Sequence, residues 1–575
     1  MINVRKKYNF VYICLDGARN YSSPWSGKTG GGCGKPEIFD EFAKEAIDFK
    51  TAVCAAPSTL MSFSSTFSGF PCGYLARNFM DFKFDHNVFD SLIRVLKKNN
   101  YQIYTLEEYD YARKVLKEMY FPIDQEYWPK GLREDKTWSN EEVLSLFDNL
   151  TKQVTLRTPF SLLVHINVRF DRNISRKVAH ILNYLKKINV YDDSIIILCS
   201  DHGCPDPERN ISNKLLREIG HDLILTDDNV LFAFCLKYPG CSPKSIKTVV
   251  SSLDIMPTVL DLLGFSYENK IGIPLKGKSL LPLIEGENTK AFDDRIMLTE
   301  ARFISQPFRR VSLRGNDFKY IYFYDEEEEC FYDLRNDPKE ENNVIESTSP
   351  AVQKTIQRYR EEFKRYETDM LRFQHKYLLH SFQKEFDRLV NENTSLKNSH
   401  NILIFGSSDV EFAKALVTGI NQRLPKANVY MISVKNIKRR DEMKLVKSEL
   451  FSNDNYENNA QKIIQWSHTK ISDRVDTIFL LMNDSSKTDI IKKMQKIAKK
   501  ISHNIVYINY NMEMNMQLKR RKISFGSNPD IPLFLRRVYK WIGFHYYRRN
   551  WYKDDIKLTL NRWIPLLHLK TFRKE

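Results

Sequence analysis

The chain has 575 residues, 42% of them hydrophobic and 28% charged, with a formal net charge of +16 and a pI of about 9.1. That length exceeds what a single hydrophobic core organises, so two or three domains are expected, and the ordinary composition argues against disorder. The absence of any run of about 18 apolar residues argues against a membrane span, and nine cysteines without short paired spacing argue for reduced thiols rather than a disulfide framework.

The first element, "NFVYICL" at residues 9–15, is a β-branched and aromatic run that passes directly into Asp16-Gly17. This is how a buried parallel strand ends at its carboxyl edge. The basic start before it has neither the apolar core nor the small-residue cleavage site of an export signal, so a cytoplasmic location is expected. Next comes "APSTLMSFSSTFSG", residues 56–69, uncharged and dense in hydroxyls. It is either a Ser-rich turn or the source of a reactive hydroxyl.

Farther on, "DSLIRVLKKN" and "SRKVAHILNYLKKINVYDD" carry apolar residues at helical spacing, and "SIIILCSDHG", residues 194–203, is a second strand with a polar carboxyl edge. Strands alternating with helices predict an α/β domain with a mostly parallel sheet flanked by helices. Ligands in such sheets sit outside the carboxyl ends of the strands, so Asp16 and the Asp201-His202 pair both stand where a site belongs. Taken singly, each is an ordinary N-cap or turn residue. Taken together at converging strand ends, two carboxylates and an imidazole suit Zn²⁺ or Mn²⁺.

A charged stretch nearly free of Gly and Pro, near residues 353–393, predicts a helical connector. After it, "NILIFGSS", "NVYMISV", "DTIFLLMND" and "NIVYINYN" alternate with helical segments, which predicts a smaller C-terminal Rossmann-like α/β domain. Its Gly406-Ser407-Ser408 turn has phosphate-cradling composition, but the dinucleotide glycine fingerprint is absent. Residues 534–575 then hold eleven Lys or Arg against three acids, interleaved with three Trp. Half of the net charge is therefore terminal. This composition fits a segment lying on an acidic membrane surface, or a tail packed on the second domain, and no nucleic-acid fold signature accompanies it. The expected division is 1–350, 351–397, 398–533 and 534–575.

Read in order over about residues 8–345, these features resemble the sulfatase family of the alkaline phosphatase superfamily. "YICLDGARN" is similar to the family's first metal segment, and "DEFAKEAIDFKTAVCAAPST" to the helix and strand leading to its nucleophile. "VYDDSIIILCSDHG" and "GHDLILTDDNVLFAFCLKYPG" resemble the second metal segment and its sequel. "SSLDIMPTVLDLLG" and "CFYDLRNDPKEENNV" are similar to a late helix and a final sheet signature.

Sulfatases place a Cys or Ser, matured to formylglycine, in a C/S-x-P-S-R run that ends ten residues on at a Thr-Gly turn. Counting back ten from Gly69 puts Thr59 at that place, Ser62 on the family Ser, Met61 on the Pro and Phe63 on the Arg. The signal for formylglycine is thus missing. A Thr nucleophile resembles the phosphoethanolamine transferases and lipoteichoic-acid synthases, and the family's paired Asp-Asp stands here as Asp16-Gly17. The resemblance therefore implies one divalent metal ion (Zn, Mn, Ca or Mg) held by Asp16, Thr59, Asp201 and His202, with Thr59 as nucleophile.

The same resemblance places His221 and His165 where family histidines reach substrate or metal, each set against the plainer reading of a loop or strand-end histidine. Arg19 and Arg77 lie near enough in sequence to bind an anionic oxygen, although surface arginines are common. Cys54 and Cys72 read as small buried hydrophobes, and Ser58, Ser62 and Ser64 as helix-capping or turn-orienting groups. The implied activity is hydrolysis or transfer of a sulfate or phosphate ester, on a cell-surface glycan or lipid precursor. The alternative is a catalytically silent protein of this fold that binds anionic glycans or a membrane partner. An anionic ester substrate, and a cytoplasmic protein peripheral on the inner face of the membrane, complete the expectation.

Overall fold

The computed structural model describes residues 7–20, 36–75, 88–107, 121–127, 159–168, 174–205, 221–302 apart from 270, 288 and 289, 309–392 apart from 325 and 326, 398–405, 419–433, 447–450, 475–482 and 504–509, with isolated positions between these. They fall into two compact units, divided between Glu367 and Thr368.

The first unit is built on an eight-stranded sheet. In chain order its strands are β1 (Asn9–Asp16), β2 (Ile47–Phe49), β3 (Gln102–Glu107), β4 (Gln125–Tyr127), β5 (Phe160–Asn167), β6 (Ser194–Cys199), β7 (Phe234–Lys237) and β8 (Lys244–Ile246). They lie in the order β4-β3-β5-β1-β6-β7-β2-β8. The five from β4 to β6 are mutually parallel, and β7 runs antiparallel to both its neighbours.

The two faces of this sheet have different duties, and the strand period of two assigns each residue to one of them. Val11, Ile13 and Leu15 of β1, Val164 and Ile166 of β5, and Ile196 and Leu198 of β6 belong to one core cluster. Helix α2 (Ile174–Lys187) covers that face, presenting Ile174, Val178, Ile181, Leu182 and Leu185 at the i, i+4, i+7, i+8, i+11 spacing of an apolar helix stripe. Each such side chain removed from water contributes about 1.5–3 kcal/mol.

The opposite face carries the intervening residues, and the Ser-rich stretch covers it. It forms helix α1 (Thr59–Ser68), every residue of which is buried. Phe63 and Phe67 pack on Tyr12 with ring centroids 6.0 and 4.9 Å apart. Because Tyr12, Cys14 and Asp16 alternate with the α2-facing residues, Asp16 emerges on the α1 side at the carboxyl edge.

A four-stranded antiparallel sheet follows, β9 (Met297–Arg302), β10 (Arg309–Arg314), β11 (Phe318–Phe323) and β12 (Glu328–Asp333), paired in sequence order. Main-chain and side-chain bonds dock it on the segment leading into α1: Glu300 N–H donates to the Ala55 carbonyl at 2.9 Å and Thr299 Oγ1 to the Cys54 carbonyl at 2.6 Å. Lys319, fully buried, lies 2.8 Å from Asp227 and 2.7 Å from Glu340, and Arg314 joins Asp227 at 3.2 Å. Ile356 and Tyr359 of helix α3 (Pro350–Glu392) close the core of this sheet.

The second unit contains an all-parallel sheet of β13 (Asn401–Phe405), β14 (Asn428–Ser433), β15 (Lys447–Leu450), β16 (Thr477–Met482) and β17 (Asn504–Asn509). Its order, β15-β14-β13-β16-β17, is that of a doubly wound α/β fold. The Gly406-Ser407-Ser408 turn and the tail 534–575 lie outside the described residues. No described helix is long and apolar enough to cross a membrane.

Candidate metal centre

The register of the parallel strands assembles the site. Glu107 of β3 pairs with His165 of β5, His165 with Cys14 of β1, and Cys14 with Cys199 of β6. Residues in register on adjacent parallel strands point to the same face, so these four form a row beneath α1. One step along, at the carboxyl edge, Asp16 stands opposite Asn167, whose Nδ2 donates to Asp16 Oδ2 at 3.4 Å. Asp201 and His202 follow β6 into the loop above the same edge.

Three ligand-type side chains converge there. One donor atom from each of Asp16, His165 and Asp201 lies within 4.8 Å of the others, and all three residues are buried. His202, fully buried, adds Nε2 at 3.3 Å from Asp201 Oδ2 and 3.8 Å from Asp16 Oδ1.

Main-chain groups orient these side chains. Asp201 Oδ1 accepts from Gly17 N–H at 3.0 Å and from His202 N–H at 2.9 Å. Its Oδ2 makes no hydrogen bond among the described residues. His202 Nδ1 lies 2.7 Å from the Gly203 carbonyl, a contact that requires the proton on Nδ1 and leaves Nε2 aimed at the carboxylates. Burial pushes the Asp201 carboxyl up from its ordinary value; His202 opposes this, Asp16 adds to it, and His165 opposes it. A buried nitrogen lone pair facing two carboxyl groups calls for a proton shared among them or a cation. The donor set of imidazoles and carboxylates fits a divalent transition ion.

Two glycines hold the edge in shape. Gly17 has φ of 76°, the left-handed region, so the family's second Asp would be strained in this backbone. Gly203 has no room for a Cβ, which would stand 2.4 Å from the Asp228 carbonyl oxygen.

Thr59 opens α1, buried, immediately after Ser58 in extended conformation. Ser62, one turn on and thus on the same helix face, donates from Oγ to the Asp201 carbonyl at 2.7 Å. That bond turns the Thr59 face of α1 toward the strand end bearing Asp201. Ser58 makes no side-chain cap, and Ser64 donates to the Leu60 carbonyl within the helix at 2.5 Å.

Other expected residues fall elsewhere. Arg19 is not an anion-binding group at the site: its side chain is fully buried, with Nε donating to the Cys204 carbonyl at 2.7 Å and Nη2 to that of Pro205 at 3.0 Å. It fastens the loop after His202 instead. His221 begins the short 3-10 turn His221–Leu223, and its side chain lies outside the described residues. Arg77 lies outside the described residues. Cys54 and Cys72 are both buried.

Sequence reasoning passed over Glu107. It lies at the carboxyl end of an apolar run, "QIYTLE", the same signal that exposed Asp16, and its carboxylate is buried beside His165. Burial pushes it well above the usual carboxylate range, and the charge of Glu126 adds to the shift.

Comparison with known proteins places this architecture. Residues 223–369 match the family model described as N-sulphoglucosamine sulphohydrolase, C-terminal. Over 205 residues the chain is 31% identical to choline-sulfatase of Rhizobium meliloti, covering 34% of this chain and 37% of that protein. Over 189 residues it is 31% identical to N-acetylglucosamine-6-O-sulfatase of Bacteroides thetaiotaomicron, 30% of each. Over part of its length, the chain is thus similar to the sulfatase family.

Within and around that family the similarity is broad. A lipoteichoic acid synthase of Staphylococcus saprophyticus is 30% identical over 155 residues, 26% of this chain and 22% of that protein. The chain therefore aligns with about a third or less of the length of these curated relatives. Among solved structures, the phosphonate monoester hydrolase of Agrobacterium radiobacter superposes with a TM-score of 0.50 at 15% identity, covering 63% of this chain and 96% of that one. That of Silicibacter pomeroyi gives the same values. These show a shared fold.

Proposed function

We propose that the protein is a metal-dependent enzyme that cleaves or transfers a sulfate or phosphate ester, with Thr59 as the nucleophile. The observation that carries this reading is the buried convergence of Asp16, His165, Asp201 and His202 at a strand edge faced by the start of α1. A divalent cation bound there would lower the pKa of a hydroxyl and offset negative charge developing on an ester oxygen. The chain's own contributions are positional. Helix α1 presents the Thr59 hydroxyl at its amino-terminal end, where the helix dipole favours an incoming anion. The Ser62 bond fixes that end against Asp201, and the Gly203 carbonyl fixes the His202 ring. Attack by Thr59 Oγ on the sulfur or phosphorus breaks its bond to the alcohol oxygen, which leaves with the threonine proton; water or a second alcohol then accepts the group from the Thr59 ester and returns a proton to Thr59 Oγ.

The relatives' names supply the substrate proposal, an anionic ester on a glycan or lipid-linked precursor. The composition of residues 534–575 supports a protein peripheral on the inner, cytoplasmic face of an acidic membrane. A second reading, a silent binding protein, draws on Phe63, an apolar ring packed on His165 where the family signature has Arg. Assay of the purified full chain with aryl sulfate, phosphate and phosphodiester esters, with and without Mn²⁺ or Zn²⁺, separates the two. Turnover that depends on the ion supports the enzyme; none with any ester or ion, together with retained glycan binding, supports the silent protein.

A further inference from the structure

The His165 imidazole lies between two carboxylates. Its Nε2 is 3.9 Å from Asp16 Oδ2, and its Nδ1 is 3.8 Å from Glu107 Oε2. Glu107 is 1% exposed, and neither of its oxygens has a hydrogen bond among the described residues. Phe63 packs edge-on against the imidazole, ring centroids 5.1 Å apart, and confines its rotation. A buried carboxyl group without a hydrogen-bond partner costs on the order of 1–3 kcal/mol, so its presence beside a histidine at the site calls for a task.

We propose that Glu107 is a positioning residue that accepts the Nδ1–H of His165 and so holds the imidazole with its Nε2 lone pair toward Asp16 and Asp201, making His165 a metal ligand. The inference rests on the metal-centre reading above. The 3.8 Å separation exceeds hydrogen-bond length, and a shift of under about 1 Å closes it. Ligating histidines ordinarily donate their second ring N–H in this way, and loss of the acceptor typically weakens metal binding about 10- to 100-fold.

The test is Zn²⁺ affinity of the full chain by calorimetric competition with a chelator, for wild type, Asp201→Ala, Glu107→Leu and Glu107→Gln. Glu107→Leu, close in volume and without an acceptor, is expected to bind about 10- to 100-fold more weakly, while its metal-free form unfolds at or above the wild-type temperature. Glu107→Gln keeps an acceptor oxygen and should stay within about threefold of wild type. A wild-type affinity in Glu107→Leu, with Asp201→Ala defective, overturns the role of Glu107 alone. Normal affinity in Asp201→Ala, or no Zn²⁺ binding by wild type, overturns the metal centre and this inference with it. A second measurement needs no Glu107 variant: the ¹⁵N spectrum of histidine-labelled, Zn²⁺-loaded wild type should show His165 protonated at Nδ1, and protonation at Nε2 instead overturns the proposal.

Discussion

Phe63 meets the edge of His165 almost at a right angle, 89° between ring planes. A residue that departs from the sulfatase signature thus sits on a member of the Asp16–His165–Asp201 cluster, and an arginine there would bring a guanidinium into an aromatic layer formed with Tyr12 and Phe67. Phe63 is accommodated there by apolar packing.

Removal of Asp201 is expected to remove metal and activity together. Asp201→Ala deletes the oxygen that faces His202 Nε2 and the acceptor of two main-chain N–H groups. Elemental analysis after dialysis, paired with ester turnover, checks this; undiminished metal content refutes the ligand assignment.

Thr59→Ala is expected to lower kcat by about 100-fold or more, the scale of losing a principal catalytic group. Mass spectrometry during turnover should find the covalent ester on Thr59. Formylglycine at Cys54 or a neighbouring serine, or an active alanine variant, contradicts the assignment.

Gly203→Ala should displace the loop that carries His202. The added Cβ would stand 2.4 Å from the Asp228 carbonyl oxygen and 3.1 Å from Asn229 Cα, and the Gly203 carbonyl holds His202 Nδ1. A destabilisation of about 1–3 kcal/mol in urea unfolding, with weaker metal binding, is the expected result.

Acid should loosen the attachment of the antiparallel sheet. Burial alone would raise the Asp227 carboxyl, but Lys319 and Arg314 outweigh it and hold the group at about 2. Its folded value lies below its unfolded one. The stability it contributes is therefore complete above about pH 4 and is lost as pH falls toward about 2. Asp227→Asn, which removes one of the two carboxylates that Lys319 meets and leaves it Glu340, should lower stability near neutrality, measured by thermal or denaturant unfolding.

Deleting residues 534–575 should release the protein from acidic liposomes and leave turnover of a small soluble ester unchanged. Each basic residue near an anionic surface adds about 1 kcal/mol, screened over about 8 Å at physiological ionic strength. Co-sedimentation at low and high salt provides the measurement; a full chain that ignores acidic liposomes at low salt shows the membrane reading to be wrong.

The strand ends were legible because an apolar run that stops at Asp16 or Asp201 is a local pattern, and so was the helix that occupies 350–392. The row from Glu107 through His165 to Cys14 and Cys199 was not, because it depends on which strands lie side by side and in what register. Glu107 stands beside Glu108 in the chain, and burial by a neighbouring strand leaves no mark on sequence. Arg19 misled for the opposite reason: its nearness to Asp16 in the chain says nothing of the carbonyls of Cys204 and Pro205, which become its partners only when β1 and β6 pair.

The two N–H groups that share Asp201 Oδ1 have a bearing on ion choice. With that oxygen occupied by Gly17 and His202, only Oδ2 is left to face a cation. A carboxylate restrained in this way binds through one oxygen, whereas Ca²⁺ fills its six to eight oxygen positions in part with two-oxygen carboxylates. On the proposed metal-centre reading, this restraint would act as a filter on coordination number and would suit an ion with few ligands and imidazole nitrogen among them, such as Zn²⁺ or Mn²⁺, better than Ca²⁺.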